Sequence, residues 1–95
     1  MRKITKEACD ALMGGRDFKK ANMSVLDGCM YLHGNKIAKI VVDENGLPHL
    51  WVTTAGWTSN TTKERLNGLP GVHVTQKDFR FYLNGKMWNG EWTEV

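Results

Sequence analysis

The spacing of apolar positions changes along the chain. Ile4, Ala8, Cys9, Leu12 and Met13 recur at three- and four-residue intervals, the period of one helix face. Thr5 is the expected N-cap, Glu7 suits the first turn, and Gly14-Gly15 is the expected stop. Short strand-like segments follow at 23–26, 29–33, 36–42 and 49–54, divided by Asp27-Gly28, Gly34-Asn35 and the turn at 43–46. Connections this short force antiparallel neighbours, because parallel ones need a long crossover. A second helix is expected after Trp57. Thr61 would cap it, Glu64 would reach back as a capping box, and Gly68 with Pro70 would end it. With barely two turns it depends on docking, through Leu66 and Leu69. The C-terminal third reads as strands. Val72 and Val74 alternate with polar residues, as do Phe79, Phe81 and Leu83. Asn84-Gly85 is a preferred hairpin pair, answered by Lys86-Met87-Trp88, and Asn89-Gly90 turns the chain again before Glu91-Trp92.

This order of elements predicts an α+β fold. The expected architecture is a small twisted antiparallel sheet or half-barrel of about six to seven short strands with two short helices. Its 95 residues form one domain, 1–95. Hydrophobic residues at 41% and charged residues at 24% are the mix of a globular chain, not a disordered one. The longest apolar-looking stretch, 37–42, is interrupted by Lys39, far short of the roughly 18 residues of a membrane span. Arg2, Lys3 and Lys6 precede no apolar core of a secretory signal. Cys9 and Cys29 form no Cys-x-x-Cys pair, so a reduced, cytoplasmic setting is expected. Open strand edges in such a sheet make a symmetric homodimer an expectation as well.

Candidate chemistry is sparse. His33, His49 and His73 are spread over separate strands without metal-ligand spacing, so no metal is expected. There is no Gly-x-Ser-x-Gly, and Cys9 sits on an apolar helix face where a thiol is inert packing. Gly14-Gly15-Arg16 lacks the pattern of a phosphate loop. These absences point to a protein that binds, with no catalytic residues and no cofactor.

Two features suit binding. Four tryptophans are many for this length. Trp51 and Trp57 are core candidates, whereas Trp88 and Trp92, around the Asn89-Gly90 turn, divide between core packing and contact with a base or a partner protein. The second feature is the start of the short helix. Ser59, Asn60, Thr61 and Thr62 crowd a place where free N–H groups favour anions, with Lys63 and Arg65 just behind. Ordinary capping and loop composition account for the same residues without a ligand. A net charge of +3 permits nucleic-acid binding without requiring it.

Four segments then resemble a family of small tailed-bacteriophage proteins: Phe18 to Val25, Leu32 to Ala38, Gly56 to Asn67 and Tyr82 to Trp88. Ala21-Asn22-Met23 stands where that family has Ser-Asn-Thr. The resemblance implies a phage origin and action in the cytoplasm of an infected bacterium, and it supplies no catalytic residues. The expected function is that of a phage accessory protein binding nucleic acid without sequence specificity. The contact set would be Trp57, Ser59, Asn60, Thr61, Thr62, Lys63, Arg65, Trp88 and Trp92. The alternative is an effector that binds a host bacterial protein, an enzyme or a defence complex, and blocks or redirects it.

Overall fold

The structure, a computed structural model, describes residues 2–95. Helix α1 spans Lys3–Met13. Four strands follow in close succession, β1 (Phe18–Lys20), β2 (Met23–Leu26), β3 (Cys29–Leu32) and β4 (Asn35–Val42), and then β5 (Pro48–Val52). Helix α2 is Asn60–Leu66. The chain ends with β6 (Val74–Lys77), β7 (Arg80–Leu83), β8 (Lys86–Trp88) and β9 (Thr93–Glu94). This is the expected α+β class, all antiparallel, but the strands divide between two sheets. One sheet has six strands in the order β1-β2-β3-β4-β5-β9, and the other has three, β6-β7-β8. Neither closes into a barrel. β1 and β9 were not expected. They are three and two residues long, too short to show an alternation, and they exist because β2 and β5 offer them an edge.

Turn chemistry accounts for the hairpins. Asp27-Gly28 and Asn84-Gly85 both hold positive φ and join strands through two residues, as the sequence indicates. The β3–β4 turn is His33-Gly34, one residue earlier than the spacing suggested. Asp78-Phe79 is the turn between β6 and β7, with φ of 53° and 67°. Phe79 is therefore not an alternating strand residue. The turn lifts its ring into solvent.

Helix α1 ends as expected. The Arg16 N–H donates to the Ala11 carbonyl and the Gly15 N–H to the Leu12 carbonyl, the paired bonds of a Schellman stop. Its start differs. Arg2 occupies the cap position without a side-chain cap, and Thr5 lies within the helix, fully buried. The Thr5 hydroxyl has a better partner than its own backbone. It donates to Glu64 Oε1 at 2.5 Å and accepts from Arg65 Nη1 at 2.9 Å. Arg65 also pairs with Glu64, and the Cys9 thiol reaches the Arg65 carbonyl at 3.6 Å. A Cβ on Gly68 would stand 2.7 Å from Thr5 Cγ2 and 2.8 Å from Cys9 Sγ, so the chain leaving α2 presses directly on α1. Burial pushes the Cys9 thiol up to about 12, which keeps it protonated.

The α2 cap also moves. Ser59 caps it, accepting the Thr62 N–H, and Glu64 is drawn across to Thr5 and Arg65 instead of closing a capping box. Leu66 and Leu69 dock as expected. The Asn67 side chain then joins the small sheet. Its amide donates to the Val74 carbonyl at 2.9 Å and accepts the Val74 N–H at 2.6 Å.

The core lies between α1, α2 and the inner face of the large sheet. Ala8, Leu12, Met23, Met30, Ile37 and Val52 are almost completely buried there, with Val74 and Phe81 joining from the small sheet. Met13, assigned to the helix stripe by spacing, is exposed at the end of its helix. Among the described residues no helix is long and apolar enough to cross a membrane.

Thr5→Val keeps the shape at position 5 and deletes the hydroxyl on which Arg65 and Glu64 converge. Urea unfolding should show a loss of about 1–3 kcal/mol. The acid limb should change too. Burial raises the Glu64 pKa, but the bonds from Thr5, Arg65 and the Arg2 N–H outweigh it and hold the carboxyl below its ordinary 4.5. That stabilisation is present above pH 4.5 and is lost as pH falls through the lower folded value. The variant should lose part of this acid sensitivity.

Candidate nucleic-acid interface

Both helices pack on one face of the large sheet, so the other face is left to solvent. Strand alternation and cross-strand register determine what it carries. Lys19, Ser24, Tyr31 and Lys36 stand opposite one another across β1 to β4. A second row runs Leu26, Cys29, Lys39, Trp51 and Glu94 across β2 to β9. Lys36 and Lys39 are three apart and would occupy opposite faces of a regular strand. A bulge resolves this. The register shifts between Met30 and Tyr31, so that Ile37 and Ala38 both turn into the core and both lysines turn out.

The lysines are held by aromatic rings. Lys39 Nζ lies 4.4 Å from the Trp92 ring centroid and Lys36 Nζ lies 5.8 Å from that of Tyr31. Among the described residues no carboxylate forms an ion pair with Lys19, Lys36 or Lys39. Trp51 is half-buried beside them, outside the core that was expected to contain it. A shallow depression of about 570 Å³ continues the surface past Lys19, Ser24, Leu26 and Tyr31, with Asp17 at its margin. The arrangement combines flat rings with unpaired cations, the pairing that holds stacked bases and their phosphates.

The other residues selected from the sequence divide. Trp92 belongs to this face. Trp88 does not. It is buried, and its indole N–H donates to the Glu91 carbonyl and to Thr93 Oγ1, both at 3.0 Å. A ring that close to the small-sheet core is structural. Arg65 is 2% exposed and committed to Thr5 and Glu64, so it is no surface anchor for phosphate. Thr62 is also buried, and its N–H is taken by the Ser59 cap. Of the two basic residues behind the helix start, Lys63 alone reaches the surface, half-buried. Asn60 is exposed and, with Thr61, borders a small depression of about 260 Å³ that Arg2 and Glu64 also line. Trp57, Ser59, Thr61 and Thr62 meet in a different cleft, of about 320 Å³, whose opposite wall is Leu32, His33, Asn35 and Ile37. Trp57 is 57% exposed at its mouth and is not core.

The C-terminal strand that brings Trp92 to the face is pinned at two points. Gly90 is the first. Its carbonyl accepts from Thr53 Oγ1 at 2.5 Å and from the Thr54 N–H at 3.0 Å, and with φ of +88° and the Thr54 side chain against a notional Cβ, any other residue would be strained there. His49 is the second. Its Nδ1 meets Glu94 Oε2 at 2.5 Å and its Nε2 meets Asp43 Oδ2 at 2.7 Å. Carboxylates on both ring nitrogens require both to donate, which is the charged imidazolium. The hydrogen bond to Asp43, then that to Glu94, raise the His49 pKa above its ordinary 6.5, and the His49 bond lowers Asp43 below 3.8.

The phage resemblance carries to the whole chain, since the family model described as Kyanoviridae Gp96 protein matches residues 1–94. The chain belongs to this family. It is a bacteriophage protein. No curated protein and no solved structure matches the chain. Tyr31, Lys19, Lys36 and Lys39 are not among the contact residues selected from the sequence, and Trp51 is there a core candidate. Period-two alternation marks the outward residues of a single strand, but only the register and the bulge put them on one surface.

The His49 ring should titrate by NMR with a midpoint above 6.5, and Glu94→Gln should move it down. The sign follows from a raised folded value. The contribution of His49 to holding β9 is complete below pH 6.5 and is lost as pH rises through the folded midpoint. A midpoint at or below 6.5 would contradict the double contact.

Proposed function

We propose that this phage protein binds single-stranded nucleic acid, without sequence specificity, on the open face of its large sheet, in the cytoplasm of the infected bacterium. The observation that carries the reading is the combination of Tyr31, Trp51 and Trp92 with unpaired Lys19, Lys36 and Lys39 on a sheet face bare of helices. Stacking on such rings is tolerant of sequence because every base has a π-face, and the lysines answer the phosphates. A duplex hides its bases and suits a flat face less well. Neither helix is long or free enough to enter a major groove. The family supports the setting in an infected cell, and the reading moves the contact surface away from the α2 start, where Arg65 is internal.

Fluorescence anisotropy with labelled single-stranded DNA and RNA, against the matching duplexes, tests this. The single strands should bind more tightly. Affinity should fall with salt with a log–log slope of about −2, the value for three lysines at about 0.7 each. Lys36→Glu with Lys39→Glu should weaken binding about tenfold or more without loss of fold. No binding at low salt, or binding indifferent to salt or to this double variant, rules the reading out.

One observation favours a second reading, an effector of a host protein. Phe79 is 98% exposed and holds φ of +67°, a conformation bulky side chains rarely adopt. Arg80 and the exposed Met87 stand beside it along a depression of about 530 Å³. An apolar anchor presented at a hairpin tip next to an arginine is the composition of an interface centre. On this reading the wild-type chain retains one stoichiometric host protein from nuclease-treated lysate and Phe79→Asp does not. Equal retention by the variant refutes it.

A further inference from the structure

The cleft between α2 and the tip of the β3–β4 hairpin has no role in the sheet-face reading, and its chemistry is distinct. Its floor is Leu32 and Ile37, both buried, and its mouth is the exposed ring of Trp57. Among the described residues no lysine, arginine or carboxylate lines it. At about 320 Å³ it lies at the small end of ligand clefts, which run from roughly 300 Å³ upward. The polar groups on its rim are not equivalent. The hydroxyls of Ser59 and Thr62 face each other at 3.0 Å and serve the helix cap. The Asn35 amide and the Thr61 hydroxyl have no hydrogen-bond partner within the protein among the described residues. They supply a donor, an acceptor and a group that does either.

An apolar floor, a flat aromatic ring at the mouth, and a free amide facing a free hydroxyl across the cleft, with His33 as the one ionisable neighbour among the described residues, match one chemical class. We infer that the cleft is a binding site for a nucleobase, with its ring against Trp57 and its polar edge toward Asn35 and Thr61. Amide-to-base pairing is a common way to read an adenine edge, and stacking holds the ring whatever its identity. The base comes from a free nucleoside or from a single strand. The second source is geometrically open, because Leu32 and Ile37 face inward at the hairpin whose Tyr31 and Lys36 face outward. The inference does not depend on the sheet-face reading, since it concerns different residues on the opposite side of the hairpin.

The test follows backbone amide shifts of the full chain by NMR, with adenosine as probe and ribose 5-phosphate as control. Adenosine should produce saturable shifts concentrated at residues 32–37 and 57–62, and ribose 5-phosphate none. Trp57→Ala, at an exposed position, should weaken adenosine about tenfold. Asn35→Ala should weaken it while leaving the unfolding midpoint unchanged. An oligoadenylate titration separates the sources. Shifts at both the cleft and the Tyr31–Lys36–Lys39 face, with adenosine displacing only the former, identify a base within a strand. Adenosine shifts with no oligonucleotide binding identify a free nucleoside, and keep this inference while removing the sheet-face reading. Oligonucleotide shifts confined to the sheet face, with no adenosine response up to its solubility, keep that reading and overturn the cleft. An adenosine response unaffected by Trp57→Ala also overturns it.

Discussion

A buried guanidinium between the two helices governs how the pieces meet. Arg65 is among the least accessible side chains of the protein, and a buried cation is tolerable only where acceptors meet it. Thr5 from α1 and Glu64 from α2 provide them, and the Thr5 hydroxyl closes the triangle by donating to Glu64. The triangle holds the two helices together, and Gly68, with no side chain, lets the chain leaving α2 lie against Thr5 and Cys9. A few residues on, the Asn67 amide takes the place of a strand neighbour for Val74 and couples α2 to the small sheet. The short helix α2 thus joins the two sheets, and the polar triangle ties it to α1.

The consequence for function is one-sidedness. With α1 and α2 held on the inner face, the outer face of the six-stranded sheet carries its own side chains and the Trp92 ring. An antiparallel sheet accepts this, provided its outward residues tolerate water. Here those residues are lysines laid against aromatic rings, with Ser24 and Cys29 between them. Charged ammonium groups keep this surface hydrated while the rings lie along it. The edge that carries Trp92 is only two residues of strand, and it depends on Gly90 and on the two-carboxylate grip around His49.

Much of the local structure could be read in advance. The helix period of Ala8 to Leu12, the Schellman stop at Gly14-Gly15, the Asp27-Gly28 and Asn84-Gly85 hairpins and the alternation of Phe81 with Leu83 are all short-range features, and they hold in the fold. The errors are informative because each has a tertiary cause. Thr5 reads as a cap until Arg65 and Glu64 reach its hydroxyl. Glu64 reads as half of a capping box until Thr5 draws it away. Phe79 reads as a strand residue because alternation cannot reveal that the two-residue turn falls on it. Trp51, a core candidate, is half-buried on the outer face, and Trp88, open to either place, is core, since indole rings suit both settings.

What the sequence determined by itself was therefore the kind and order of the longer elements and the antiparallel pairing that short turns impose. Those follow from interactions within a few residues of chain. The surface was decided by tertiary structure alone. Which face of the sheet the helices cover, where the Ile37–Ala38 bulge slips the register, and whether Arg65 points inward or out are settled by contacts up to 60 positions apart. No local propensity encodes them, because burying Arg65 is favourable only once Thr5 and Glu64 are both in place to receive it.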